Sequence, residues 1–399
     1  MRRIPVSGSR TSTVTSNWLL RGTRQVAARG VPAIVQPPLA SPVSGGANVR
    51  PPYPVNFLQN LPITPTNRTN IALIKHIFQR LFGIGTMALV AILCLLVSAC
   101  SGKDPITLRI GTNIWPGYEP LYLARKLEHW QPDRIRLVEY PSATEVMRAF
   151  RNHSLEAASL TLDEVLLLRQ DNIPVKVVLI HDLSAGADAI VARPGIANVR
   201  ALKGKRVAVE SNALGAFVLS RALEMNGMTL SDVQIIPVDV NAHEHAYQRG
   251  DADAVVTFEP ARTHLLNAGA HEIFNSRELP NEIVDVLVVH QEYAARYPQT
   301  IQRIVDDWFK AVSFMEKDPS SAAHLIAQRL KMTPGEVIAS YKGLRIPSRD
   351  ENRLLLGGSD DRLRQTLSRL NRVLTAHHLV RAPVDIGNLL NPTFVRGLE

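Results

Sequence analysis

The sequence predicts an α/β protein of two lobes joined by two crossing segments. Three observations predict it. First, strand-type and helix-type patterns alternate from residue 106 to residue 180, and the alternation restarts from 206 to 258. Alternation of this kind marks a largely parallel sheet covered by helices. Second, a long apolar run at 284–289 follows the second unit and reads as the return of the chain to the first. Third, residues 101–399 contain no cysteine. They must be stabilised by burial without disulfides, and about 300 residues suffice for two lobes.

Each element follows from local pattern. Residues 106–112 alternate with period two and predict a strand. A helix is expected over 118–129, a strand over 134–140, and a helix over 142–152 that opens with a Ser142/Glu145 capping box. A short strand at 155–160 leads into a helix at 161–170 with a second box, Thr161/Glu164. A buried-type strand follows at 175–180. Residues 187–192 are expected to cross to the second lobe. There the pattern gives strands at 206–210, 233–238 and 254–258, and helices at 214–226, 242–249 and 261–266. Residues 284–289 are the expected return crossing, and the two crossings together would serve as the hinge. From residue 292 the signals are helical, with breaks at Pro298, Asp318-Pro319 and Thr333-Pro334. These patterns divide the chain into a first part of lobe 1 (105–187), lobe 2 (188–286) and a return to lobe 1 with C-terminal helices (287–399).

The first hundred residues have a different character. They hold ten Lys or Arg and no Asp or Glu, which leaves 35 basic and 36 acidic groups in the rest. The basic pI therefore belongs to the N-terminal segment, and the remainder offers no footprint for nucleic acid. Residues 1–70 contain ten prolines and no helical or strand period. They read as a disordered extension, or as the product of a start codon assigned too far upstream. Lys75 and Arg80 precede an apolar run from Leu81 to Ala99, which ends in Leu96-Val97-Ser98-Ala99-Cys100-Ser101. Basic, then apolar, then small residues is the export-signal pattern. Ending on a cysteine, it resembles the bacterial lipobox, which would make Cys100 the lipid-bearing first residue of the mature protein. The alternative is an uncleaved membrane anchor within 71–100, since nineteen apolar residues nearly span a bilayer. Both place the folded part outside the cytoplasmic membrane.

A family resemblance runs through residues 106–345. It is carried by Arg109-Ile110-Gly111-Thr112, Trp115-Pro116-Gly117-Tyr118 and Leu121-Tyr122-Leu123-Ala124. Leu162-Asp163-Glu164, Ser184-Ala185-Gly186-Ala187-Asp188 and Leu202-Lys203-Gly204-Lys205-Arg206-Val207-Ala208-Val209 continue it. Asp253-Ala254-Val255-Val256, Glu259-Pro260 and Asp285-Val286-Leu287 complete it. The set resembles substrate-binding proteins of ABC transporters of the nitrate, sulfonate and taurine type. The resemblance implies the periplasmic-binding-protein type II fold and capture of a small molecule between two lobes. It also implies delivery to a membrane permease by a monomer that needs no cofactor. A ligand-presenting sensor for a signalling receptor is the alternative. An enzyme on the same fold is a further one, although no Gly-x-Ser-x-Gly, Walker or His-Glu-x-x-His motif occurs.

Ligand groups are expected on the loops after the strands, where α/β sheets bind. The expected ligand-binding residues are Trp115, Tyr118, Thr161, Asp163, Ser184, Asp188, Glu210, Asn241, Glu259 and Asp285. The cleft loops carry many acids and no Lys or Arg. That composition predicts a ligand with a positively charged or hydrogen-bond-donating nitrogen. Against it stand the anionic ligands of the resembled family, which helix starts at Ser142, Thr161 and Leu214 could hold through free N–H groups. His243-Glu244-His245 and His377-His378 invite a metal reading, but neighbours one or two apart on a helix face different directions, so no metal site is expected.

Overall fold

The computed structural model describes residues 107–127, 129–130, 134–210 and 214–397. Cys100, the apolar run before it and the extension 1–70 lie outside the described residues, as do Ser211 and Asn212. Among the described residues no helix is long and apolar enough to cross a membrane.

The chain builds β1 (Leu108–Thr112), a 3-10 turn at Pro116–Tyr118, α1 (Glu119–Lys126), β2 (Ile135–Glu139) and α2 (Ala143–Arg151). It continues with β3 (Ala157–Thr161), α3 (Leu162–Gln170) and β4 (Val175–Ser184). A second series follows: β5 (Asp188–Ala192), β6 (Arg206–Val209), α4 (Leu214–Met225), β7 (Gln234–Pro237) and α5 (His243–Gln248). It ends with β8 (Ala254–Phe258), α6 (Ala261–Asn267) and β9 (His271–Asn275). Then come β10 (Val284–His290), α7 (Gln291–Arg296), α8 (Pro298–Lys317), α9 (Pro319–Leu330) and α10 (Pro334–Ser340). The chain finishes with β11 (Leu344–Arg345), α11 (Arg349–Gly357), α12 (Arg362–Ala376) and α13 (Thr393–Arg396).

Two sheets result. The first has the order β11-β4-β10-β3-β1-β2, and the second β7-β6-β8-β5-β9. They are built alike. In each, the first strand after a crossing inserts antiparallel between the third and fourth strands of a parallel set. β10 lies between β3 and β4, and β5 between β8 and β9. Two lobes of one design, joined twice, form the two-lobed α/β fold expected from the sequence.

The crossings lie elsewhere than expected. Residues 188–192 are β5, wholly within the second sheet, and 284–289 fall within β10, wholly within the first. The β10 strand thus enters the first sheet at Val284, ahead of the expected lobe limit at 286. Both runs are fully buried and sit in sheet interiors, which is where continuous apolar strands belong. The chain crosses instead at 185–187 and 276–283. The two connectors are stitched together: the Ser184 and Ser276 hydroxyls meet at 2.7 Å, and the Gly186 N–H donates to Ser276 Oγ at 2.6 Å. Gly186 has φ +121°, and a Cβ there would strike the Arg277 guanidinium, so the turn needs glycine.

Other differences are local. The expected breaks at Pro298, Pro319 and Pro334 are the first turns of α8, α9 and α10, where proline costs no hydrogen bond. The Ser142 box forms by half. Ser142 Oγ accepts the Glu145 N–H at 3.3 Å, while the Glu145 carboxylate turns to Arg148. The β9 strand is an edge strand of mixed polarity and β11 has two residues, so neither leaves a pattern in the sequence.

Candidate functional site

The two sheets bring the loops after their strands to one cleft. From the first lobe, Trp115 and Tyr118 flank the Pro116–Gly117 turn after β1, and both rings are buried. Trp115 meets Phe258, the last residue of β8, edge to face at a centroid distance of 5.6 Å. This aromatic contact joins the lobes. A small inner cavity of about 20 Å³ lies beside it, lined by Asn113, Trp115, Tyr118, Ala143, Thr161, Glu164, Asp188, Glu210, Leu214, Phe258 and Asp285. Four of these carry carboxyl groups and none carries a cation.

Hydrogen bonds close the cleft over this cavity. The Glu210 carboxylate, after β6, accepts the Thr144 N–H at 2.9 Å and the Thr144 hydroxyl at 2.6 Å, across the cleft. Glu164 bridges as well. Its Oε2 accepts the Thr161 N–H at 2.9 Å, which is the expected capping contact, and its Oε1 accepts the Leu214 N–H of α4 at 3.4 Å. The protein's own carboxylates thus reach N–H groups at or beside the helix starts that could have held an anion. Glu210 accepts the Thr144 N–H in the first turn of α2, and Glu164 accepts the N–H of Thr161, which precedes α3, and of Leu214, the first residue of α4.

Further acids, Asp163 and Asp182, crowd behind the lining residues Asp188 and Asp285. Tyr118 donates its hydroxyl to Asp285 Oδ1 at 2.6 Å, and the Trp115 indole N–H donates to Asp182 Oδ2 at 3.1 Å. Asp285 stands in register with Thr161 of β3 on one side and Asp182 of β4 on the other. Asp163 Oδ1, Asp182 Oδ1, Asp188 Oδ2 and Asp285 Oδ2 are buried without hydrogen-bond partners. Burial pushes these carboxyls upward. Asp182 rises to about 8, with the Asp188 charge adding to the effect. Asp188 rises to about 7, raised further by Asp163 and Glu259. Glu164 rises to about 8 beside Asp163, and Asp163 itself to about 6. Asp285 is held well above the ordinary carboxylate range by burial first and the Asp182 charge second. Glu210 is raised by burial, with the Thr144 bonds pulling the other way.

The structure gathers six of the expected residues, Trp115, Tyr118, Thr161, Asp188, Glu210 and Asp285, around the inner cavity. Asn241 and Glu259 line a separate outer cavity with Tyr140, His264 and Arg329. Glu259 is already paired there, accepting from Arg262 Nη1 at 2.9 Å and the Thr263 N–H at 3.1 Å. Asp163 is buried behind the inner cavity without lining it. Ser184 belongs to the connector, where its hydroxyl meets Ser276 and accepts the Asp188 N–H at 3.3 Å. Sequence reasoning missed Asp182. The available signal was His181-Asp182 interrupting an apolar strand, a polar pair that a buried strand does not carry without cause. Glu164 was read as a cap, and its second bond to α4 has no local signature. His243 is a packing residue. Its ring nitrogens reach Thr257 Oγ1 at 3.0 Å and the Val238 carbonyl at 3.2 Å, and no cluster among the described residues could hold a metal ion.

Comparison with known proteins agrees with this architecture. The NMT1-like family matches residues 101–331. The taurine-binding periplasmic protein of Escherichia coli (strain K12) is 24% identical over 168 residues, covering 41% of this chain and 52% of that protein. A putative aliphatic sulfonates-binding protein of the same organism is 24% identical over 255 residues, covering 62% of this chain and 78% of that protein. The chain thus spans about half the length of the first of these relatives. Among solved structures, the alkanesulfonate-binding protein SsuA from Xanthomonas axonopodis pv. citri, bound to MOPS, aligns with a TM-score of 0.61 at 19% identity. The alignment covers 73% of this chain and 98% of that one. At this identity the likeness is one of fold.

Proposed function

The chain belongs to the NMT1-like family, and from that premise we propose that it is the solute-binding component of an ABC importer. In this reading it works outside the cytoplasmic membrane, tethered through a lipid on Cys100. It captures a small nitrogen-containing or sulfonated organic molecule between its lobes and hands it, as a monomer, to the permease. The relatives named above are binding proteins for taurine and aliphatic sulfonates, which supports a role in capture over one in catalysis.

One observation carries the reading. A cavity lined from both lobes is closed over by bonds that join them, Thr144 to Glu210 and Leu214 to Glu164. A ligand that touches both lobes favours the closed state by its differential affinity, and this is how a binding protein signals occupancy to a partner. At about 20 Å³ the closed cavity holds little more than a water, so a solute enters with the lobes apart and is enclosed as they close.

Native mass spectrometry of the protein purified from its own host tests the reading. The expected result is a co-purified molecule of low mass that is lost on denaturation, with a permease recovered by cross-linking in membranes. Finding neither a bound molecule nor a permease would count against it.

A further inference from the structure

We propose that the inner cavity takes a small organic cation whose protonated nitrogen bears N–H groups, and that this nitrogen bridges Asp188 of the second lobe and Asp285 of the first. The inference rests on the binding reading above and assigns it a substrate class.

Hydrogen-bond supply and demand in the cavity carry the inference. Of the four lining carboxyls, Glu164 and Glu210 are spent on helix starts and on closing the cleft. Asp188 and Asp285 are 2% and 3% exposed, line the cavity, and each keep Oδ2 without a partner. A buried carboxyl oxygen without a partner is costly. Two such oxygens, one from each lobe, are acceptors awaiting a donor. An ammonium group supplies several donors and the missing charge at once.

The same accounting argues against an anion. A sulfonate needs several donors; of those lining the cavity the Thr161 hydroxyl stands without a partner, and most of the others are engaged. The Trp115 indole N–H serves Asp182 and the Tyr118 hydroxyl serves Asp285. The Asn113 amide reaches the Ile114 carbonyl at 3.3 Å, and carboxylates accept the Thr144, Thr161 and Leu214 N–H groups at or beside the starts of α2, α3 and α4. An anion would also face four carboxyl groups with no cation among the lining residues. A quaternary ammonium carries the right charge but has no N–H to give the two oxygens. The faces of Trp115, Tyr118 and Phe258 favour a cation further.

Matched probes on the full-length protein, purified in mild detergent, test the proposal by calorimetric titration. Benzylamine and ethanolamine are compared with benzenesulfonate, ethanesulfonate and tetramethylammonium. The amines are expected to bind, and the sulfonates and tetramethylammonium are not. Asp188→Asn and Asp285→Asn are each expected to weaken amine binding on the order of tenfold. The wild-type panel decides the charge of the ligand even if a variant does not fold. Binding of sulfonates in place of amines overturns the cation and leaves the solute-binding reading standing. Equal binding of tetramethylammonium overturns the bridge. Binding of no probe overturns the inference, and the co-purified molecule then judges the broader reading independently.

Discussion

Asp182 and Asp285 stand directly opposite each other on the antiparallel strands β4 and β10. Like charges at such positions destabilise a sheet. Here each carboxyl has one oxygen satisfied, by Trp115 and Tyr118 respectively, and one oxygen buried without a partner. The pair is tolerable only when a proton or a ligand reduces its charge. Asp182→Asn keeps an acceptor for the Trp115 N–H and adds donors beside Asp285. It is expected to stabilise the unliganded protein at pH 8 by about 1 kcal/mol. Thermal melts of the two proteins measure this, and a variant that melts lower than wild type would contradict it.

Closure depends on the contact between Thr144 and Glu210, since both Thr144 donors reach one carboxylate oxygen of the opposite lobe. Thr144→Val removes the hydroxyl and keeps the backbone bond. A hydrogen bond to a charged group contributes about 1.5–3 kcal/mol. The closed state should lose about that much, with ligand affinity falling roughly tenfold or more. Small-angle scattering should show a larger radius at low ligand occupancy than in wild type. An unchanged affinity would remove this contact from the closing mechanism.

Gly117 is fixed by crowding. A Cβ there would overlap the Asp182 carboxylate and the Trp115 indole nitrogen, and both groups are buried. Gly117→Ala should break the Trp115–Asp182 bond and displace the ring from Phe258. Overpacking of this kind costs about 1–3 kcal/mol. A lower melting temperature together with a shifted tryptophan emission is the expected result. An unaltered spectrum would show that the loop absorbs the methyl group.

Much of this was legible in the chain because it rests on local pattern. Period-two runs, apolar stretches and capping residues placed β1 through β4, β6 and α2 through α4, and the segments after β1, β4 and β6 delivered Trp115, Tyr118, Asp188 and Glu210 to one cavity. What the sequence concealed depends on contacts far apart in the chain. The crossings at 185–187 and 276–283 are short connectors without an apolar period, stitched by Ser184 and Ser276, so apolar periodicity cannot mark them. Asp182 was lost because β4 extends to Ser184, past the apolar stretch that announces it. The double use of Glu164 requires α4 to arrive from the other lobe. The occupied helix starts, which bear most on ligand charge, are likewise a three-dimensional fact.

The lipid anchor is tested through Cys100. If it is the modified residue, Cys100→Ala should block processing, and globomycin should do the same to the wild-type protein. Immunoblots of membrane and soluble fractions show this as a precursor of higher mass. Normal maturation and membrane retention of the variant would refute the anchor.

The buried acids also set the pH dependence of stability. Burial raises Asp163 to about 6, Asp188 to about 7, and Asp182 and Glu164 to about 8. In the unfolded chain these groups lose their protons near pH 4. Between about pH 4 and 8 the native state therefore binds more protons than the unfolded state, and stability falls as pH rises. Three histidines act in the opposite sense, His290 among them, lowered by burial. His181, buried against Trp308, is lowered to about 3, and His243 is lowered to about 4, both by burial. Unfolded histidine takes up its proton near 6.5, so these three withdraw stability on acidification through that pH and contribute no slope well above it. Across the interval from 6.5 to 8 the carboxyls outweigh a histidine contribution that fades as pH rises. Each excess proton held by the native state changes stability by about 1.4 kcal/mol per pH unit. The melting temperature of the unliganded protein should thus drop by several degrees across the interval. Asp188 faces Asp163, Asp182 and Glu259, so Asp188→Asn removes one proton and relieves its neighbours, and its slope should be shallower. Melting curves at pH 6.5, 7.25 and 8.0 on both proteins decide the matter. A wild-type melting temperature that stays level or climbs would mean that these carboxyls are not held protonated by the closed cleft.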